Sequence, residues 1–175
     1  FKKTFNNKTI LVTGHTGFKG SWLSLWLKSL GANVIGLSHD VPSEPSHFGD
    51  DFISFSDDNR IDIRNIIEVS KLIIDTQPDF VFHLAAQALV RPSYDDPLRT
   101  ITTNAIGTAN VLDSIRQLKK HVVAVMITSD KAYDNEEWLW GYRETDRLGG
   151  KDPYSASKGM AELAIRTFVE SYFHR

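Results

Sequence analysis

A chain of 175 residues with 41% hydrophobic and 24% charged side chains has the length and mixture of about one globular domain with a real buried core. Its formal net charge of -2 excludes the electrostatic footprint of a nucleic-acid or anionic-membrane binder, so neither is expected as a partner. It has no cysteine, which removes disulfides and thiolate chemistry and is compatible with a reducing cytoplasm. No apolar run approaches the ~20 residues that cross a bilayer, and the polar start Phe1-Lys-Lys-Thr-Phe-Asn-Asn-Lys does not read as a signal peptide.

In chain order, Ile10, Leu11 and Val12 form a short apolar run that reads as a buried strand. Gly14, Gly17 and Gly20 follow at a spacing of three, and Trp22, Leu23, Trp26, Leu27 and Leu30 then recur on one side of a helix that Gly31 ends. Strand, glycine turn and helix N-terminus together form the geometry that holds a dinucleotide pyrophosphate, because the backbone can approach and the first helical N–H groups point at the anion. The spacing is GxxGxxG rather than GxGxxG, so the flanking strand and helix carry this reading as much as the glycines do.

Asn33 to Leu37 predicts the second strand, returning parallel to the first. An acid that binds adenosine ribose is expected near its end. The strand ends instead in Ser38-His39-Asp40, with the acid two residues late, and Asp40 reads better as a solvated loop residue. His39, His15 and Lys19 would tolerate a ribose phosphate, so charge does not separate NAD from NADP. Val41 to Asp51 reads as a loop and Phe52 to Phe55 as a short strand. A helix is predicted over Asn65 to Thr76, with Ile66, Ile67, Leu72 and Ile73 toward the core. Asp62 just before it is a helix cap, an adenine contact, or both.

Phe80-Val-Phe-His-Leu is a continuous apolar strand of the kind buried on both faces of a parallel sheet. His83 within it reads as a core histidine bonded to backbone. The small residues Ala85-Ala86 that follow leave room for a ligand at the strand end. A long helix is predicted from about Asp96 to Lys119, carrying Ile101, Ile106, Val111, Leu112 and Ile115, and Val122 to Thr128 is a fifth buried strand. The β-α-β-α order without period-two alternation predicts an α/β fold, a doubly wound parallel sheet of Rossmann type. No internal repeat, metal-ligand spacing or GxSxG elbow is present.

The fifth strand runs into Thr128-Ser129-Asp130-Lys131, polar side chains that should face the crevice. Asp152-Pro153 opens a further helix, and Tyr154 and Lys158 at i and i+4 share one of its faces. An ammonium beside a phenol lets the phenolate accept a proton from a sugar hydroxyl while hydride leaves the same carbon.

Gly14-xx-Gly17-xx-Gly20, Leu84-Ala-Ala and Tyr154-Ser-Ala-Ser-Lys158 together resemble the extended short-chain dehydrogenase/reductase superfamily. More narrowly, Gly14-His-Thr-Gly-Phe-Lys-Gly-Ser-Trp-Leu, Ala85-Ala-Gln-Ala-Leu-Val-Arg, Thr128-Ser-Asp-Lys-Ala-Tyr-Asp-Asn, Trp138-Leu-Trp-Gly-Tyr-Arg-Glu and Gly149-Gly-Lys-Asp-Pro-Tyr-Ser resemble the CDP-glucose 4,6-dehydratases. The resemblance runs from about Thr9 to the end of the chain, and the tryptophan-rich segment is its most specific part.

The resemblance implies NAD as cofactor, a nucleotide sugar as substrate, a homodimer and a cytoplasmic enzyme. It implies that Gly14, His15, Thr16, Gly17, Phe18, Lys19, Gly20, Ser38, Asp62, Ile63, Leu84, Ala85, Ala86, Gln87, Thr103, Thr128, Tyr154 and Lys158 contact the cofactor. Ser129, Asp130, Lys131, Tyr154 and Lys158 would be catalytic, and Gln87, Arg91, Ser129, Tyr142 and Arg143 would touch the substrate. Sugar-nucleotide 4,6-dehydratases commonly carry an Asp-Glu pair as elimination acid and base. Here the pair is Asp130-Lys131, as in the CDP-glucose branch, and Lys131 acts as a base only if its neutral form is accessible, or else stabilises the enolate. Extended members are about twice this length, so residues 1–175 are expected to be one Rossmann domain that stops before the substrate domain. An epimerase or reductase on the same scaffold, or a non-catalytic dinucleotide-binding module, are the alternatives.

Overall fold

The computed structural model describes residues 2–46, 48 and 57–173. After a short helix α1 (Lys2–Phe5), strand β1 (Thr9–Thr13) leads into helix α2 (Phe18–Ser29) and strand β2 (Asn33–Ser38). Strand β3 (Asp58–Arg60), helix α3 (Ile66–Thr76) and strand β4 (Phe80–His83) follow, then helices α4 (Val90–Asp95) and α5 (Pro97–Ile101). A π-helical turn (Thr102–Ile106) continues α5 into α6 (Gly107–Arg116). Strand β5 (Val123–Met126), a 3₁₀ turn (Asp130–Ala132), helix α7 (Pro153–Phe168) and a second π turn (Val169–Phe173) complete the described elements. No helix among the described residues is long and apolar enough to cross a membrane.

The five strands pair in the order β3-β2-β1-β4-β5, all parallel. The order reverses between β1 and β4, and an open α/β sheet binds ligands in the crevice at such a reversal. Alternate side chains of the central strands feed two cores. Leu11, Ile35, Leu37 and Val81 pack on one face with Val69, Ile73, Val111 and Ile115 of α3 and α6, while Ile10, Val12 and Val34 pack on the other with Leu27 of α2. Burial on both faces is why these strands lack an apolar/polar alternation.

Several sequence expectations are corrected. The predicted Phe52 to Phe55 strand and part of the Val41 to Asp51 loop lie outside the described residues; the strand that flanks β2 is the polar β3, which hydropathy does not signal. Helix α2 turns Gly20, Ser21, Ser24 and Leu27 inward and leaves Trp22 and Trp26 half exposed. Small residues face the sheet there because the helix lies close to it, and Ser21 and Ser24 satisfy their hydroxyls on carbonyls one turn back. In α3 the buried residues are Val69 and Ile73, which meet Val111 and Ile115 of α6 in the core, whereas Ile66 and Ile67 are exposed in the first turn. Ile106 is also exposed, because the π turn shifts the helical face by part of a turn. Strand β5 is not buried: it pairs only with β4 among the described strands, and Val123 and Val125 are 40% and 37% exposed.

Candidate active site

The crevice is built first by the glycine turn. Gly14 has φ +73, a left-handed backbone that disfavours a side chain, and a Cβ there would meet the Ala85 N at 2.8 Å. The loop after β1 and the loop after β4 therefore touch backbone to backbone. Gly20 seals the other side, where a Cβ would fall 2.0 Å from the Gly14 carbonyl oxygen. Helix α2 starts at Gly17 with no side-chain cap and no acid in its first turn, so its positive end is left for an anion. These features fit a dinucleotide diphosphate.

Around this cradle, Thr16 donates from Oγ1 to the Asp40 carbonyl at 2.5 Å, and its N–H reaches Ser38 Oγ at 3.4 Å. Phe18 and Lys19 project outward in the first turn of the helix, Phe18 being 76% exposed. His15 departs from expectation. It is fully buried, with Nε2 3.0 Å from Asp58 Oδ1 and its ring edge-on to Phe48, so it cannot face a ribose phosphate. Burial pushes its pKa down, against the raising effect of the Leu37 backbone and Asp58. Asp40 is exposed and pairs with His39 at 3.4 Å. Asp62 is not the cap of α3; Asn65 is, its Oδ1 accepting the Glu68 N–H at 3.4 Å. The Asp62 carboxylate instead accepts the Arg64 N–H at 2.9 Å and its guanidinium at 2.5 Å, and these bonds lower its pKa. The Ile63 side chain packs into the core, and its carbonyl accepts from Asn110 Nδ2 at 2.9 Å.

On the β4 side, Leu84 and Ala85 pack against opposite cores. Gln87 is held by Asn104: its N–H donates to Asn104 Oδ1 at 2.8 Å and its carbonyl accepts from Asn104 Nδ2 at 3.0 Å. The Gln87 amide turns inward as well, to the Leu89 carbonyl and Thr100 Oγ1. Asn104 lies in the π turn beside Thr103, is buried, and also donates to Ser157 Oγ at 2.8 Å on α7. Sequence reasoning missed Asn104. The signal that points to it is structural, since a single π turn inside an α-helix recurs at functional sites.

Helix α7 carries Tyr154 and Lys158. Asp152 caps it through Ser155 N–H at 3.0 Å, and Pro153 occupies its first turn. Tyr154 and Lys158 are both buried, 8% and 6% exposed, on the face that meets α4 to α6. The Tyr154 N–H donates to Ser93 Oγ at 3.2 Å, and its carbonyl accepts from Ser157 Oγ at 2.6 Å. Burial lowers the Lys158 pKa, Glu162 opposes that and Lys19 adds to it. Glu162 in turn accepts a short hydrogen bond from the Thr128 hydroxyl, joining the end of β5 to α7.

Ser129 caps the 3₁₀ turn, its Oγ accepting the Lys131 N–H at 3.2 Å and donating to Asp130 Oδ1 at 3.1 Å. The side chains of Asp130 and Lys131 are exposed among the described residues, so no enclosure is built around them here. At Asp152 burial raises the carboxyl pKa, but the Ser155 hydroxyl, the Ser155 and Tyr154 amides and, least of these, the Lys131 charge together bring it below its ordinary value. Beyond it an aromatic ladder forms. Tyr133 stacks on Tyr142 at 5.2 Å and 8°, and Trp138 leans on Tyr142 and stacks with Trp140, which is 61% exposed. The Tyr142 hydroxyl donates to Asn135 Oδ1 at 2.8 Å and accepts the Glu136 N–H. Arg91, in α4, and Arg143, after the aromatic ladder, are exposed. Among the described residues, no three His, Asp or Glu side chains gather as metal ligands.

A five-stranded parallel Rossmann-type sheet, with a glycine turn at its switch point and a buried Tyr/Lys pair on a flanking helix, defines a dinucleotide-dependent short-chain dehydrogenase/reductase architecture. The chain belongs to the GDP-mannose 4,6 dehydratase family, whose profile matches residues 11–174. It is 48% identical over 99% of its length to a CDP-glucose 4,6-dehydratase of Salmonella typhimurium, covering 48% of that protein. It is 31% identical to a CDP-paratose 2-epimerase of Salmonella typhi, over 93% of this chain and 53% of the relative. The crystal structure of the Thermus thermophilus UDP-glucose 4-epimerase in complex with NAD superposes with a TM-score of 0.77 at 27% identity, over 94% of this chain and 52% of that one. The chain thus spans about half the length of the curated relatives it matches.

Proposed function

We propose that residues 1–175 form the amino-terminal, cofactor-binding part of a nucleotide-sugar 4,6-dehydratase that removes water from CDP-D-glucose to give CDP-4-keto-6-deoxy-D-glucose. The observation that carries this reading is the Tyr154 and Lys158 pair, buried on one face of α7, with the Lys19 charge of α2 acting on Lys158 and the Asp130–Ala132 turn after Ser129 packed against the same helix. The 48% identity to a CDP-glucose 4,6-dehydratase supports it over an epimerase or reductase. Epimerases and reductases do not need an acid and a base after the serine.

NAD, when bound, supplies a reversible hydride acceptor, so the sugar is oxidised and later reduced with no net redox change. Gly14, Gly17, Gly20 and the first turn of α2 would hold its diphosphate, Ser38 and the Asp62–Ile63 backbone its adenosine end, and Lys158 the nicotinamide ribose. Tyr154 takes the proton of the sugar 4-hydroxyl, and the Lys158 ammonium stabilises the phenolate. Ser129 donates a hydrogen bond to the 4-oxygen. Once carbon 4 is a ketone, the carbon 5 proton is acidic, Asp130 protonates the departing 6-hydroxyl, and Lys131 removes the carbon 5 proton or stabilises the enolate. Both side chains are exposed in this chain, so substrate and the further part of the enzyme supply their enclosure. Gln87, Arg91, Tyr142 and Arg143 border the space for the sugar nucleotide. We infer a cytoplasmic homodimer that pairs through the π turn with α6 and through α7, where Ile106 of the turn and Met160 and Leu163 of α7 are exposed apolar side chains.

Incubation of the whole enzyme with CDP-glucose and NAD tests this, following the alkaline absorbance of the keto product together with NADH. Keto product without accumulating NADH supports the dehydratase. Accumulating NADH indicates a simple dehydrogenase, and no reaction indicates another nucleotide sugar or a binding module. Lys131→Met is expected to keep NAD bound and to lose the keto product, while normal turnover in that variant removes Lys131 from the elimination.

A further inference from the structure

His83 ends β4 at the switch point, is 2% exposed, and has no part in the chemistry above. It is not bonded to backbone, as its place in a core strand predicts; it spans two threonines. Nδ1 lies 2.7 Å from Thr13 Oγ1 on β1, and Nε2 lies 3.0 Å from Thr108 Oγ1 on α6. The Thr108 hydroxyl proton is already committed to the Asn104 carbonyl at 2.6 Å, one turn back. A hydroxyl has one proton, so Thr108 accepts from the ring and Nε2 carries the hydrogen. In a neutral imidazole Nδ1 is then an acceptor, and Thr13 donates to it. The lone pairs of Thr13 Oγ1 remain for the Ala85 N–H at 3.1 Å. Every bond runs in one direction, from the Ala85 amide through Thr13, His83 and Thr108 to the Asn104 carbonyl.

The two ends of this relay are functional. Thr13 and Ala85 flank Gly14, whose backbone is pressed against Ala85. Asn104 reaches Ser157 with its side-chain amide, and Ser157 holds the Tyr154 carbonyl. We propose that His83, as the neutral Nε2–H tautomer, is a positioning residue that ties the glycine turn to the helix carrying Tyr154 and Lys158, fixing the separation between bound dinucleotide and proton-transfer pair. The inference rests on the dinucleotide reading of the site. Neutrality follows from the surroundings: desolvation first, and the Lys158 charge second, push the His83 pKa down to about 3. A charged ring would donate from both nitrogens, reverse the Thr13 bond and leave the Thr13 hydroxyl proton in need of another acceptor.

Two measurements test it. In protein labelled with ¹⁵N-histidine, the His83 resonance, assigned by its loss in His83→Gln, is expected to show the Nε2–H tautomer unchanged between about pH 5 and about pH 9. A charged ring or an Nδ1–H tautomer in that range overturns the relay. In the whole enzyme, His83→Phe and Thr108→Val are each expected to weaken NAD binding or lower kcat about tenfold, with His83→Gln recovering most of the loss because its amide offers one acceptor and one donor. Where His83→Phe does not fold, Thr108→Val carries the comparison, since it removes a single hydroxyl. A lowered melting temperature with wild-type NAD affinity and kcat makes His83 a mere core residue and overturns this inference alone. Wild-type enzyme that binds no NAD overturns the dinucleotide reading itself, a result distinct from the tautomer.

Discussion

The two sides of the crevice differ in how much of their environment is built. On the side of β1, α2 and β2, the central strands are fully buried, glycines press backbone against backbone, and His15 and Ser38 are shut inside. On the side of β5, the strand is over one-third exposed at Val123 and Val125, Asp130 and Lys131 point to solvent, and the aromatic ladder ends in an exposed Trp140. Cofactor recognition requires only a rigid, preformed cradle, which a single sheet provides. Elimination chemistry requires a closed, dry pocket, which one sheet edge does not provide. The α7 helix lies between the two sides, packed on α4 to α6 and on the 3₁₀ turn after β5, with Tyr154 and Lys158 buried on that face.

The largest effect is expected from Tyr154→Phe, which removes the phenol and leaves the helix in place. Keto-product formation should fall by roughly 10²–10⁴-fold, with NAD affinity unchanged, as read by turnover and by NAD titration. Equal loss of NAD binding would mean that the reactive pair belongs to the cradle and not to the boundary between the halves. Next, Gly20→Ala forces a Cβ onto the Gly14 carbonyl, whereas Gly141→Ala on the open side meets nothing within 4 Å. The first should cost about 1–3 kcal/mol or more and abolish NAD binding, and the second should be near neutral, as measured by urea denaturation.

A pH effect sharpens the comparison further. His83 takes up its proton only at about 3 when folded, against 6.5 in an unfolded chain. Between those values the unfolded chain binds the proton that the folded chain refuses, so stability is retained above about 6.5 and falls as the pH is lowered toward 3. By about pH 5 the His83 contribution to this fall is on the order of 2 kcal/mol, and urea midpoints at pH 5 and 7 should show it shrinking in His83→Gln. After the near-neutral Gly141→Ala, the next smallest effect is expected from Asn65→Ala, which removes the α3 cap. It should cost about 0.5–2 kcal/mol in a thermal melt and change NAD affinity little, because the Asn65 N–H bond to the Asp62 carbonyl remains.

Much of this architecture is legible in sequence because it rests on local rules. The parallel sheet follows from apolar runs without alternation, the glycine turn from its spacing between strand and helix, and the shared face of Tyr154 and Lys158 from the i, i+4 rule. The rest depends on partners that periodicity does not name. Strand β3 is polar and forms only because β2 offers an edge. The helix α2 buries serines and exposes tryptophans because close approach to the sheet outweighs hydropathy.

The sequence by itself determined the fold class, the glycine turn between strand and helix, and the shared face of Tyr154 and Lys158, since each is specified by residues within about one helix or turn of one another. Tertiary structure alone decided which faces are buried, that His15 turns inward, and that His83 and Asn104 link the halves. Those features are made by hydrogen bonds and contacts between residues 17 to 72 positions apart. A buried polar group takes its partner from whatever the fold brings within reach, and chain order does not record that choice.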